Sequence, residues 1–125
     1  MSMTKEQLTP GPDHPITIET TGKRVTVTAG DQVIARTDNA LTLREASYPP
    51  IQYVPIDDVD PSALRPSAHE TYCPYKGDAS YFTVNTPEGE LENVIWTYEQ
   101  PYEAVAEIGG HVAFYANRVD VAVGD

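Results

Sequence analysis

The sequence predicts a mainly β protein, with small antiparallel sheets in a barrel-like or two-sheet arrangement and one short helix. Three observations support this fold class. The 125 residues include 11 prolines and 8 glycines, which favour turns and interrupt long helices. Eight tyrosines accompany many β-branched residues, a composition that favours strands. Short alternating runs of apolar and polar residues recur along the chain, separated by turn residues.

A chain of this length fits one domain. Residues 1–15 lack periodicity and hold three prolines around Gly11, so we expect a flexible N-terminal tail in which His14 is solvated. The remaining residues, 16–125, are predicted to form a single β-rich domain.

Four alternating runs open this domain. They begin at Ile16, Val25, Val33 and Leu41, and Gly-Lys, Gly-Asp and Asp-Asn pairs separate them. Short strands joined by such turns are typical of a hairpin series. The pattern therefore predicts an antiparallel meander.

The middle of the chain is rich in proline. Residues 47–55 contain three prolines within seven positions, and proline cannot donate to a sheet ladder. We therefore expect an extended or polyproline-like segment at a sheet edge. Asp60 followed by Pro61 predicts one helical turn, because aspartate caps helices and proline favours the first helical position.

The next stretch predicts a hairpin. Residues 71–78 read as a strand end that enters a tight turn, with Gly77 free to adopt positive φ. Two runs over residues 79–85 and 94–99 then flank an acidic Pro-Glu-Gly-Glu loop. Alternating runs on either side of such a loop are typical of paired strands.

The C-terminal part predicts the short helix and a last hairpin. Pro101 and the spacing of Val105 and Ile108 indicate a helix near residues 102–108, and the Gly-Gly pair that follows ends it. Residues 111–123 are predicted to form a closing hairpin across an asparagine turn.

The charge and the cysteine count exclude several classes of function. The net charge of −11 disfavours nucleic acid and anionic membranes, although a basic pocket for one small anion stays open. One cysteine allows neither an internal disulfide nor a multi-cysteine zinc site. Three aspartates near residue 60 lack the glycine and glutamate of a calcium loop. We therefore expect no metal and no cofactor.

The first residues lack an apolar run, so we expect no secretory signal. No segment approaches the ~18 consecutive apolar residues of a membrane span. By elimination, the sequence predicts a cytoplasmic protein.

Three motifs together resemble one family. They are Tyr-Pro-Pro at residues 48–50 with Tyr-Val-Pro at 53–55, Cys-Pro-Tyr-Lys-Gly at 73–77, and Trp-Thr-Tyr-Glu at 96–99 with Ile-Gly-Gly-His-Val-Ala-Phe-Tyr at 108–115. In this order they resemble the family named domain of unknown function 427, over roughly residues 32–122. The family also carries a nucleotidyltransferase-like label.

The resemblance implies a small, mostly antiparallel β fold, similar in outline to the tent-like sheets of the zinc-binding Mss-type exchange factors. The chain departs from those proteins because it lacks their paired cysteines. It also lacks a Gly-Ser motif followed by Asp-x-Asp, which nucleotidyltransferases use to bind metal.

Two residues are candidates for catalysis. Cys73 lies three positions before Lys76 across a Pro-Tyr turn, and a nearby ammonium would favour a nucleophilic thiolate. His111 follows the Gly-Gly pair, where an imidazole can transfer protons. The alternative is structural: Cys73 is then a small buried side chain, and His111 packs on an aromatic ring and bonds a backbone carbonyl.

Nine residues are candidates for ligand binding. Aromatic rings with hydroxyl tips can line a cleft for a flat or sugar-like ligand, and Arg or Lys can hold a small anion. As alternatives, the rings belong to the core and the charged groups to exposed salt bridges. The candidates are Tyr48, Tyr53, Arg65, Tyr75, Lys76, Trp96, Tyr98, Glu99 and Tyr115.

Three functions follow from these candidates. The first is a small-molecule-binding β domain, with a pocket between the Tyr-Pro-Pro segment, the Cys-Pro-Tyr-Lys-Gly turn and the Gly-Gly-His junction. The second is an enzyme that uses Cys73 or His111 in acid–base or nucleophilic chemistry. The third is a structural or interaction module that forms a homodimer.

Overall fold

The computed structural model describes residues 6–124, and within them ten strands form two antiparallel sheets. The mainly β prediction is confirmed, and the sheets do not close into a barrel. The strands are β1 Ile16–Thr20, β2 Val25–Ala29, β3 Gln32–Thr37, β4 Leu41–Glu45, β5 Ile51–Pro55, β6 Arg65–Cys73, β7 Gly77–Thr86, β8 Gly89–Thr97, β9 His111–Phe114 and β10 Asp120–Val123.

The seven-stranded sheet has the order β1-β4-β5-β9-β8-β7-β6, and the three-stranded sheet has the order β10-β2-β3. All four strands of the predicted meander exist, but of its three predicted pairings only that of β2 with β3 is confirmed. β1 pairs with β4, whereas β2 and β3 form a hairpin in the other sheet. Alternation reports that one face of a strand is buried, and it carries no information about which strand lies alongside.

The prediction of a closing hairpin is also wrong, because β9 and β10 do not pair with each other. β9 pairs with β5 and β8 in the large sheet, whereas β10 pairs with β2 in the small sheet. The segment between β9 and β10 therefore crosses from one sheet to the other. The β7–β8 hairpin is confirmed, with a turn at Pro87 and Glu88.

The proline-rich segment lies inside the large sheet, which contradicts the predicted edge position. β5 pairs with β4 on one side and with β9 on the other. Pro49 and Pro50 precede the strand and Pro55 ends it, so the residues between keep their backbone donors.

The helical elements are all of the 3₁₀ type. The predicted turn at Pro61–Ala63 is confirmed, and the Asp60 side chain accepts a hydrogen bond from the Ser62 amide. The predicted C-terminal helix spans Glu103–Ile108, but it is a 3₁₀ helix with a kink at Val105. Such short helices depend on packing for stability, and Val105 and Ile108 are fully buried.

Both faces of the large sheet carry buried residues. One face packs against the small sheet around Val27, Val54 and Val112. The other face forms a second cluster around Tyr53 and Tyr98 together with residues of the Glu103–Ile108 helix. The candidate site lies on this second face.

Part of the predicted tail contacts the domain. The Leu8 amide donates to the Pro74 carbonyl at 2.9 Å, and the His14 ring stacks on Tyr75 with centroids 4.0 Å apart. His14 is therefore half-buried, and the prediction that it is solvated is wrong. Residues 1–5 of the predicted tail lie outside the described residues. Within residues 6–124, no helix is long and apolar enough to cross a membrane.

Candidate ligand cavity

A cavity of about 380 Å³ opens on the second face of the large sheet. Most of its wall is apolar or aromatic, which is typical of small-molecule sites. The residues that line it are Leu43, Glu45, Tyr48, Pro49, Ile51, Tyr53, Lys76, Tyr81, Trp96, Tyr98 and Tyr115.

Strand alternation explains how side chains from distant segments meet here. Residues two apart in a strand share a face, so Leu43 and Glu45 leave β4 on the same side. Trp96 on β8 lies opposite Tyr81 on β7 and opposite the small Ala113 on β9. A methyl group at position 113 leaves room for the indole ring beside it.

Two buried tyrosines belong to the cavity wall. Tyr53 is 1% exposed and Tyr98 is 7% exposed. Burial raises the pKa of both phenols well above the ordinary value, so both stay neutral. The Trp96 indole N–H donates to the Tyr53 hydroxyl at 3.3 Å, which leaves that hydroxyl its own hydrogen to donate.

A charged pair lies at the polar end of the cavity. The Lys76 ammonium donates to the Glu45 carboxylate, and the two side chains are 8% and 15% exposed. His14 Nε2 contacts the other Glu45 oxygen at 2.7 Å. Burial would raise the pKa of Glu45, but the hydrogen bonds from Lys76 and His14 outweigh it and the pKa is lowered.

The turn that precedes β7 positions Lys76. The Lys76 amide donates to the Cys73 carbonyl at 3.2 Å, and Gly77 follows at a φ of 112°. Only glycine adopts this conformation without strain. The same turn brings Lys76 Nζ to 3.7 Å from Cys73 Sγ.

The mouth of the cavity exposes aromatic rings. Tyr48 is 64% exposed and Tyr115 is 40% exposed, so both rings have surface free to contact a ligand. The Trp96 and Tyr115 rings lie 4.6 Å apart at 47°. Burial and the contact with the Tyr81 hydroxyl raise the pKa of Tyr115 to about 12.

Six of the predicted ligand-binding residues line the cavity, namely Tyr48, Tyr53, Lys76, Trp96, Tyr98 and Tyr115. Tyr75 is not among the lining residues: it precedes Lys76 in the same turn and stacks on His14. Cys73 packs against the second core cluster and is half-buried.

The other predicted residues lie elsewhere. Arg65 pairs with the exposed Glu90. Glu99 lines a separate, more polar hollow with Glu70 and Asp78. His111 donates from Nδ1 to the Gly109 carbonyl at 2.9 Å, and it is not among the residues that line the cavity.

The Gly-Gly-His junction therefore does not contribute to the hollow, although the Tyr-Pro-Pro segment and the Cys-Pro-Tyr-Lys-Gly turn do. Sequence reasoning missed Glu45. Its position two residues after Leu43 would have placed it on the buried face of β4. A carboxylate at the end of an apolar strand face was the available signal.

No three His, Cys, Asp or Glu side chains within residues 6–124 are close enough together to hold a metal ion. The charged residues that line the cavity are Glu45 and Lys76, and they contact each other.

The fold and the cavity define a class: a small two-sheet antiparallel β domain with an aromatic hollow on one face of its larger sheet. The chain belongs to the family described as "Domain of unknown function (DUF427)", whose model matches residues 17–125. This confirms the resemblance drawn from the three motifs. The search of curated proteins found no match.

Proposed function

We propose that the protein is a small-molecule-binding β domain whose ligand places a flat or sugar-like ring in the aromatic cavity. The observation that carries this proposal is the convergence of Trp96, Tyr115 and the buried Tyr98 on one hollow of about 380 Å³. Ligand pockets usually have volumes of about 300–1,000 Å³ and combine apolar walls with few polar groups.

The exposed rings support the same proposal. When a second ring packs on an exposed aromatic ring, apolar surface is removed from water, and this lowers the free energy. Tyr48 and Tyr115 both lie at the cavity, so a ligand ring would bury part of each. Trp96, the single tryptophan of the chain, has the largest ring system among the aromatic side chains of the wall.

Ligand-observed NMR with a library of uncharged ring fragments tests the proposal. We expect millimolar Kd values, because fragments of this size gain little free energy in total. Tyr115→Ala should weaken the binding of the hits at least fivefold. Tyr102→Ala is the matched control, since this tyrosine does not line the cavity, and it should leave binding unchanged. Equal binding to both variants, or no hits at all, would refute the proposal.

A second candidate function is thiol chemistry at Cys73. The 3.7 Å separation of Lys76 Nζ and Cys73 Sγ favours it, since a nearby ammonium stabilises a thiolate. Against it, the same ammonium contacts Glu45, and no hydrogen bond joins His111 to Cys73 within residues 6–124. The binding proposal therefore has the stronger support.

Iodoacetamide labelling at neutral pH separates the two candidates. We expect Cys73 to react no faster than free cysteine, because Glu45 offsets the charge of Lys76 and the thiol is half-buried. A rate at least tenfold above that of free cysteine would favour the enzyme instead.

A further inference from the structure

We infer that the part of the ligand inside the cavity is an uncharged ring that carries a hydrogen-bond acceptor. This inference rests on the proposed binding function and adds the charge and polarity of the ligand. Three features of the cavity carry it: its two charged groups contact each other, the accessible hydroxyl of Tyr98 makes no hydrogen bond within residues 6–124, and the rest of the wall is neutral.

The first feature is the charge balance. Among the described residues that line the cavity, only Glu45 and Lys76 are charged, and they contact each other. A charged ligand group entering the cavity would lose its hydration without gaining an unpaired counter-charge. Breaking the pair to obtain one would separate an ammonium and a carboxylate in a poorly hydrated site, which is strongly unfavourable.

The second feature is the hydroxyl of Tyr98. Within residues 6–124 it has no hydrogen-bond partner, although Tyr98 is only 7% exposed. No described side-chain N or O atom is both fully buried and unpartnered, so this hydroxyl is accessible, and Tyr98 is one of the residues that line the cavity. Water can bond to an accessible hydroxyl, and a ligand acceptor at this position would take the place of that water.

The neighbouring hydroxyl points to the same chemistry. Tyr53 accepts from the Trp96 indole and keeps its own O–H to donate. Both phenols are held neutral by burial, so they offer neutral donors and no charge. A carbonyl or hydroxyl oxygen on a ring satisfies these donors without introducing a charge.

Three probes of nearly equal shape test this inference: benzamide, benzoate and benzylammonium. Their Kd values for the full chain are measured by NMR titration at pH 8, above the ordinary titration range of imidazole. For the wild type, benzamide should bind at least tenfold tighter than either charged probe. Its amide oxygen is the acceptor for the tyrosine hydroxyls.

Variants of the charged pair should change which of the three probes the cavity binds most tightly. Glu45→Gln leaves the Lys76 ammonium without its carboxylate, so the Kd of benzoate should fall at least tenfold relative to that of benzamide. Lys76→Gln removes the ammonium beside Glu45 and leaves His14 as the remaining partner of that carboxylate, so it should favour benzylammonium by the same margin. Tyr98→Phe keeps the ring but removes the hydroxyl, so it should raise the Kd of benzamide at least threefold. The Kd of toluene, a ring without an acceptor, should stay unchanged.

The outcomes separate the two proposals. If none of these probes binds the wild type at the cavity, the proposed function fails. If benzoate or benzylammonium binds the wild type as tightly as benzamide, the inference about charge is overturned and the binding function stands. The wild-type ranking and Tyr98→Phe decide the matter even if a variant of the charged pair does not fold.

Discussion

The ammonium of Lys76 contacts the carboxylate of Glu45, which lies 31 positions earlier in the chain. The contact links the end of β4 to the turn before β7 and forms the polar end of the aromatic cavity. It also neutralises the charged groups of that cavity.

Breaking this pair should destabilise the fold more than removing it. Lys76→Met or Glu45→Gln alone leaves a charged partner in a poorly hydrated site, and each should lower the free energy of unfolding by on the order of 3 kcal/mol. The double variant should lose less than the sum of the two. Urea unfolding monitored by Trp96 fluorescence measures all three, and strictly additive losses would contradict the account.

Glu45 should make stability depend on acid pH. Its pKa is lowered in the folded state from an ordinary value of 4.5, so its contribution is complete above pH 4.5 and is lost as the pH falls through the folded value. Glu45→Gln should flatten the fall in unfolding free energy below that pH. Asp38 and Asp60 also have lowered pKa values and remain in the variant, so the difference between the two proteins isolates Glu45.

The hydroxyl of Tyr53 should hold the Trp96 ring in place. Tyr53→Phe removes the acceptor of the indole N–H, and a half-buried donor without a partner costs about 1 kcal/mol. We expect a shift in Trp96 emission together with a lower urea midpoint. Tyr102→Phe, a change outside the cavity, serves as the control and should leave the emission unchanged.

The buried tyrosines should resist ionisation in base. The pKa values of Tyr53 and Tyr98 are raised by burial, so their contribution to stability is present below the ordinary value near pH 10 and is lost as the pH rises further. Absorbance of tyrosinate should therefore show a late phase that coincides with loss of the folded CD signal. Tyr53→Phe should reduce the amplitude of that phase, and a late phase of unchanged amplitude would contradict the assignment.

The sequence predicts strands better than it predicts their partners. Turn residues and alternation located the runs that begin at Ile16, Val25 and Leu41. Alternation cannot show that β1 pairs with β4, with two other strands between them in the sequence, because pairing depends on contacts distant in sequence. The edge strand β6 was largely missed, since it is mostly exposed and has no regular apolar face.

Part of the candidate site was predictable from the alternation of side chains along a strand. Trp96 lies on β8 and Tyr98 directly follows this strand, and the β8–β9 pairing brings Tyr115, which directly follows β9, to the same region. Arg65 was selected for the chemistry of its side chain, but its strand carries it to an exposed pair with Glu90. Side-chain type indicates what a residue can bind, whereas the topology decides whether it reaches the cavity.

Crystals of the protein grown with 4-bromobenzamide test the central claim most directly, because the anomalous signal of bromine locates the ligand. We predict one dominant peak within the cavity, beside the Trp96 and Tyr115 rings and with the amide near the Tyr98 hydroxyl. A dominant peak outside the cavity, or a cavity without bromine in a crystal saturated with the compound, would contradict the proposal that this hollow binds a ring.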